Sequence, residues 1–86
     1  MKIKFHKNFE KKYKKLSAKL KSKVKERNKI FFEDPFDPIL NNHALRGRYY
    51  GYRSINITGD IRVVYKFLDK NTTLFVDIDS HSNLYR

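Results

Sequence analysis

Three apolar runs in the second half of the chain, Tyr49 to Ile57, Ile61 to Leu68 and Thr73 to Asp79, are separated by two turn clusters, Thr58-Gly59-Asp60 and Asp69-Lys70-Asn71-Thr72. They constrain the fold tightly, because strand side chains alternate between faces and a one-residue slip turns every one of them over. A three-residue first loop sets Ile57 against Ile61, Ile55 against Val63 and Asn56 against Arg62; a two-residue loop would oppose Ile57 to Arg62. A four-residue second turn sets Val63 against Ile78, Tyr65 against Val76 and Phe67 against Leu74. One face is then apolar, and the other carries Ser54, Asn56, Arg62, Lys66, Asp77 and Asp79. On that polar face Arg62 lies between Asn56 and Asp79, and Asp79 is expected to pair with and orient it.

The first half supplies the cover for the apolar face. Ile3 and Phe5 alternate with Lys2, Lys4 and His6 as a first strand, and Asn8 is placed to cap a helix. Phe9, Tyr13, Leu16, Leu20, Val24 and Phe31 then form an apolar stripe at helical spacing on a lysine-rich background. One helix from Asn8 to Glu33 would run about 39 Å, longer than the roughly 30 Å diameter of a compact chain of this size. It should break at Leu16-Ser17-Ala18, with Ser17 capping a second helix, and end at Asp34-Pro35, since proline disfavours helical geometry in the residue before it. PFDPILNN is read as a loop. The expected architecture is α+β: residues 1–86 as one domain, two N-terminal helices packed on a small, twisted, mainly antiparallel sheet.

Charge and composition narrow the function. Of twenty Lys and Arg, thirteen lie in the first 33 residues, where they exceed the acidic residues by ten; the whole chain carries +11. Such a field attracts polyanions, of which nucleic acid is the common cytosolic one; a merely solvated lysine face is the plain alternative. The absence of cysteine excludes disulfides, thiolate metal sites and a cysteine nucleophile. No apolar run is long enough to span a bilayer and the opening residues lack a secretory h-region, so a cytoplasmic location is expected, without membrane attachment. There is no glycine-rich phosphate loop, no metal-ligand spacing and no nucleophile elbow, so neither a metal nor a cofactor is expected.

Cleaving RNA without a metal requires a base for the 2′-hydroxyl proton, an acid for the leaving oxygen and a cation for charge growing on phosphorus. His43, His81, Asp60 and Arg62 supply those types, and the product would be a 2′,3′-cyclic phosphate. Tyr85 is able to stack on a base or to donate its hydroxyl. His81 and Tyr85 both lie beyond the last strand, where packing calls for neither. Phosphate contacts are assigned to the basic helices and to Arg46, Arg48, Arg53 and Lys66, with Asn56 beside Arg62. Ordinary roles compete: Asp60 as a turn residue, His43 as a loop residue, Tyr85 as a hydrophobic plug.

The segments FHKNFEKKYKKLSAKLKSKVKE, DPFDPILNNHALRGRYYGYRSINITGDIRVVYKF and DSHSNLY resemble, in order and spacing, the RelE superfamily of bacterial toxins and its YafQ branch. The resemblance implies a toxin of a type II toxin–antitoxin pair that cleaves messenger RNA in the ribosomal A site and is restrained by a cognate antitoxin. It carries catalytic or substrate-contacting roles onto His43, Asp60, His81 and Tyr85, and a place near the scissile phosphate onto Arg62. The YafQ pattern has a further histidine where this chain has Asn56, an amide that transfers no proton near neutral pH. Which of His43 and His81 is the acid and which the base therefore stays open. ParE-like gyrase poisons share the superfamily's fold, and a non-catalytic RNA- or ribosome-binding module would use the same basic surface.

Overall fold

The computed structural model describes residues 1–85. Strand β1 (Lys2–Phe5) leads into helices α1 (Lys7–Lys14) and α2 (Ala18–Glu33); β2 (His43–Ala44), β3 (Arg53–Asn56), β4 (Ile61–Asp69), β5 (Thr72–Ser80) and α3 (His81–Leu84) follow, with short 3-10 turns at Pro38–Leu40 and Gly47–Tyr49. The helix break falls where length requires it, for the molecule measures 32 Å along its longest axis. Ser17 Oγ accepts the Leu20 N–H at 3.2 Å and starts α2, and Asp34 ends it. The first cap differs from expectation. His6, held extended by its N–H bond to the Phe75 carbonyl (2.9 Å), caps α1 by accepting the Asn8 N–H on Nδ1 at 3.0 Å, so Asn8 is already inside the helix.

The sheet has the order β1-β5-β4-β3-β2 and is antiparallel except where β1 runs parallel to β5. The first hairpin has the expected register, with Ile55 opposite Val63 and Asn56 opposite Arg62. The second departs from it. Val63 faces Ile78, but Tyr65 faces Phe75 and Phe67 faces Thr73, because the ladder shifts by one residue at Val76. The bulge turns Phe75 rather than Val76 into the core, where its ring meets Phe9 (5.7 Å) and Phe31 (5.4 Å). A phenyl ring removes more apolar surface from water than a valine does, and that gain opposes the interrupted ladder. The strand expected from Tyr49 begins only at Arg53, since Gly47 and Gly51 take left-handed backbone angles (φ 66° and 91°) that curl residues 47–51 into turns.

The helix-side core unites Phe9 of α1 and Val24 and Phe31 of α2 with Ile55, Val63, Tyr65, Phe75 and Ile78 of the sheet. The opposite face is less polar than its sequence suggests. Val64 projects there and is covered by Leu45 and Leu84, with Tyr49, Tyr52 and Tyr85 packed around them. Among the described residues, no helix is long and apolar enough to cross a membrane.

Candidate active site

The turn between β3 and β4 and the end of β5 meet at one corner. Thr58 Oγ1 accepts the N–H groups of Asp60 (3.2 Å) and Ile61 (2.9 Å), which fixes the turn and leaves Asp60 exposed. Ile61 pairs with Ser80, so the chain leaving β5 passes directly beside the turn, and the His81 N–H bonds the Asp60 carbonyl at 2.8 Å. Ser80 Oγ accepts the Asn83 N–H at 3.2 Å and starts α3. One turn later the Tyr85 N–H reaches the His81 carbonyl, and the two rings meet edge to face at 4.6 Å. Asp60, His81 and Tyr85 are thus held together by a capped helical turn.

Arg62 extends this corner across the sheet. Asn56, Arg62 and Asp79 form one cross-strand row, as face matching requires. The anticipated ion pair between Arg62 and Asp79 is replaced by another. Lys12, reaching from α1, places Nζ 2.9 Å from Asp77 Oδ1 and 3.0 Å from Asp79 Oδ2. The remaining oxygen of Asp79 accepts the Ser80 N–H (2.7 Å) and the Asn83 side-chain amide (2.9 Å). Lys12 can reach this far because β1 pairs β5 only through Phe75, leaving the outer edge of residues 77–79 open to α1. Arg62 donates through one terminal nitrogen to the Gly59 carbonyl at 3.2 Å, while its Nε and the Asn56 Oδ1 are buried without partners. The Tyr85 hydroxyl and Ser54 Oγ, also of this face or packed on it, are buried and unpaired too.

The ion cluster is electrostatically settled. Burial alone would lower the Lys12 pKa, but the two carboxylates outweigh it and hold the ammonium above its ordinary range. Burial alone would raise Asp79; hydrogen bonds from Asn83 and Ser80 and the Lys12 charge hold it below the usual carboxylate range. Tyr49 donates its hydroxyl to Asp77 Oδ2 at 3.1 Å, and burial, with the Asp77 charge, pushes its pKa up.

His43 stands apart. It lies on β2 opposite Ser54, so it shares the face, but β2 is the far edge, three strand spacings or about 14 Å from β5. Its Nδ1 contacts the Asn41 carbonyl at 2.8 Å. A carbonyl only accepts, so Nδ1 carries the proton and Nε2 of the neutral ring keeps its lone pair, the form a general base needs. Arg48 bonds the Leu84 carbonyl at 3.4 Å and stacks on Tyr49, and Lys66 lies over the Tyr52 ring at 5.1 Å, both on the α3 side of the sheet. Arg46 is exposed in the adjoining turn. Arg53 is on the other face: it pairs with Tyr65, donates to Asn42 Oδ1 at 2.8 Å and stacks on Phe36. Its placement there follows from register, because it is one residue out of phase with Ser54 and Asn56.

Lys12, Tyr49 and Asp77 are the site-face residues whose partnership the sequence did not suggest. Lys12 follows Phe9 by three and precedes Leu16 by four, so it borders the apolar stripe, and this distinguishes it within the run KKYKK.

A helical hairpin on one face of a five-stranded sheet has close counterparts among solved structures. A YoeB/ParE toxin from Agrobacterium tumefaciens superposes with a TM-score of 0.78 at 21% identity, covering 94% of this chain and 99% of that one. The E. coli YafQ structure gives 0.77 at 22% identity, over 98% and 97%. YafQ in the E. coli DinJ–YafQ toxin–antitoxin complex gives 0.74 at 20% identity, over 98% and 97%. The fold is therefore that of the RelE/YafQ-like bacterial toxins. The family profile described as bacterial toxin of type II toxin–antitoxin system, YafQ, matches residues 1–86. The chain belongs to that family, and is a toxin of the type II toxin–antitoxin class. Comparison with curated protein sequences gave no match.

Proposed function

We propose that this toxin is a metal-independent endoribonuclease that cuts messenger RNA on the ribosome. The observation that supports the reading best is the corner where the His81 N–H bonds Asp60 and the His81 ring contacts Tyr85, beside an arginine whose Nε has no partner within the chain. Arg62 stabilises the charge that grows on phosphorus, and Asp60 with a histidine moves the protons. His81 lies at this corner, whereas His43, its Nδ1 turned to the Asn41 carbonyl, serves an RNA strand that crosses the face toward β2. The product is a 2′,3′-cyclic phosphate. Asn56 takes no proton and contacts RNA through its side-chain amide beside Arg62 in the cross-strand row. Tyr85 leaves its packed position to stack on a base. Arg46, Arg48, Lys66 and the helix lysines other than Lys12 hold phosphates. Arg53, on the opposite face, contacts RNA only outside the site.

A cognate antitoxin restrains the toxin in the cytoplasm, as DinJ partners YafQ in the E. coli complex. The mapping of messenger RNA 5′ ends after induced expression tests the reading. Cuts at codon boundaries that vanish, together with growth arrest, in His81→Ala are the expected result. Growth arrest with intact transcripts and broken chromosomes would indicate a gyrase poison instead, and undiminished toxicity of both His81→Ala and Tyr85→Ala would remove the site.

A further inference from the structure

Two cations on this molecule are within reach of one carboxylate. Arg62 and Asp79 are direct cross-strand neighbours, the placement in which opposite charges ordinarily pair. Yet both oxygens of Asp79 are already engaged, Oδ2 by Lys12 and Oδ1 by Ser80 and Asn83. The same ammonium holds Asp77, so one charge from α1 is shared between two carboxylates on β5. A buried, unpaired guanidinium N–H is costly, and an unoccupied carboxylate opposite would relieve it. Arg62 nevertheless bonds the Gly59 carbonyl and leaves Nε unused. Asp79 already accepts three hydrogen bonds and has its charge offset by Lys12, which weakens its pull on Arg62.

We propose that Lys12 is a positioning residue: by engaging Asp79 and Asp77 it keeps Arg62 uncommitted and available to an RNA phosphate. Without Lys12, two carboxylates close enough to share one ammonium on one strand face would repel a phosphate and draw Arg62 onto β5. Lys12 also steadies the carboxylate that ties Ser80 and Asn83, and through them the start of α3, to the sheet. The substrate named here rests on the ribonuclease reading, whereas the competition for Asp79 does not.

The test uses the full chain with Lys12→Met, Lys12→Arg, Asp79→Asn and the double variant Lys12→Met/Asp79→Asn, on ribosomes programmed with messenger RNA. Lys12→Met should lower kcat roughly tenfold to a hundredfold with little change in KM, the signature of a displaced transition-state contact. Lys12→Arg should retain most activity. Adding Asp79→Asn to Lys12→Met should recover activity, because the carboxylate directly opposite Arg62 is then gone, while Asp77 lies opposite Val64 and keeps its bond from Tyr49. A purely structural role predicts the reverse, since the second change weakens a further tie to α3. In parallel, the Arg62 Nε–H resonance should shift and become protected from exchange in Lys12→Met, and revert in the double variant. Should Lys12→Met fail to fold, Lys12→Ala, which neither donates to the carboxylates nor weakens the helix, takes its place with the same expected outcomes. A double variant no more active than the single one, or an unshifted Arg62 resonance in the single variant, overturns the proposal. If the wild-type chain cuts no RNA, the ribonuclease reading falls and the Arg62 resonance alone decides the role of Lys12.

Discussion

Asp79 is held below the ordinary carboxylate range by Asn83, Ser80 and Lys12, although burial acts the other way. Because its folded pKa is the lower one, the unfolded chain takes up this proton first as the pH falls. The stability it contributes is present above about pH 4 and is lost as the pH drops through the depressed folded value. Lys12 mirrors this: its raised pKa gives a contribution complete below about pH 10 and lost above the folded value. Urea unfolding of wild type and Asp79→Asn between about pH 2 and pH 7 should give curves that converge at the acid end and separate near neutrality, with wild type the more stable. The cross-strand row of Asn56, Arg62 and Asp79 was legible in the sequence because alternation fixes which residues share a face. The partner of Asp79 was not, because Lys12 is 67 positions away and only the end of β1 pairing opens the edge it reaches across.

At the scale of elements, the helix break and the first hairpin followed from lengths and turn residues, which are local. The bulge at Val76 did not, since Phe75 and Val76 are both apolar and only the aromatic neighbours contributed by α1 and α2 favour the former. The four residues of α3 carry no periodicity that a sequence reading could use; Ser80 as its cap was the one available sign. The segment before β3 shows how turns rather than propensity set a boundary. A Cβ on Gly51 would meet no atom within 4 Å, so Gly51→Ala should cost only the strain of its left-handed backbone, about 1–2 kcal/mol. Gly59 is equally open and is not in that region, so Gly59→Ala should be neutral or stabilise by about 0.4–1 kcal/mol. Chemical denaturation of the two variants checks the contrast.

For the whole molecule, the surplus of eleven positive charges works against compactness, since like charges lie closer in the folded chain than in the unfolded one. Screening should relieve that repulsion. Raising salt from about 50 mM to about 500 mM should increase Tm, by roughly 4–8 °C for each kcal/mol relieved, even as it weakens the Lys12 contacts. Thermal unfolding followed by circular dichroism decides the sign. The same surplus makes any polyanion a stabiliser, whether RNA or an acidic protein, because a ligand that binds only the folded state raises its apparent stability.

The parallel pairing of β1 with β5 sets Lys2 against Thr72, so the first strand of the chain has to wait for the last. At synthesis rates of about 5–20 residues per second, that wait is roughly 4–14 s, during which the helical hairpin exists without its sheet. The corner that joins Asp60 to His81 depends on the same late strand. A nascent copy therefore lacks this corner until β5 has been made and has left the ribosome, so the arrangement of Asp60, His81 and Tyr85 is a property of the finished chain alone.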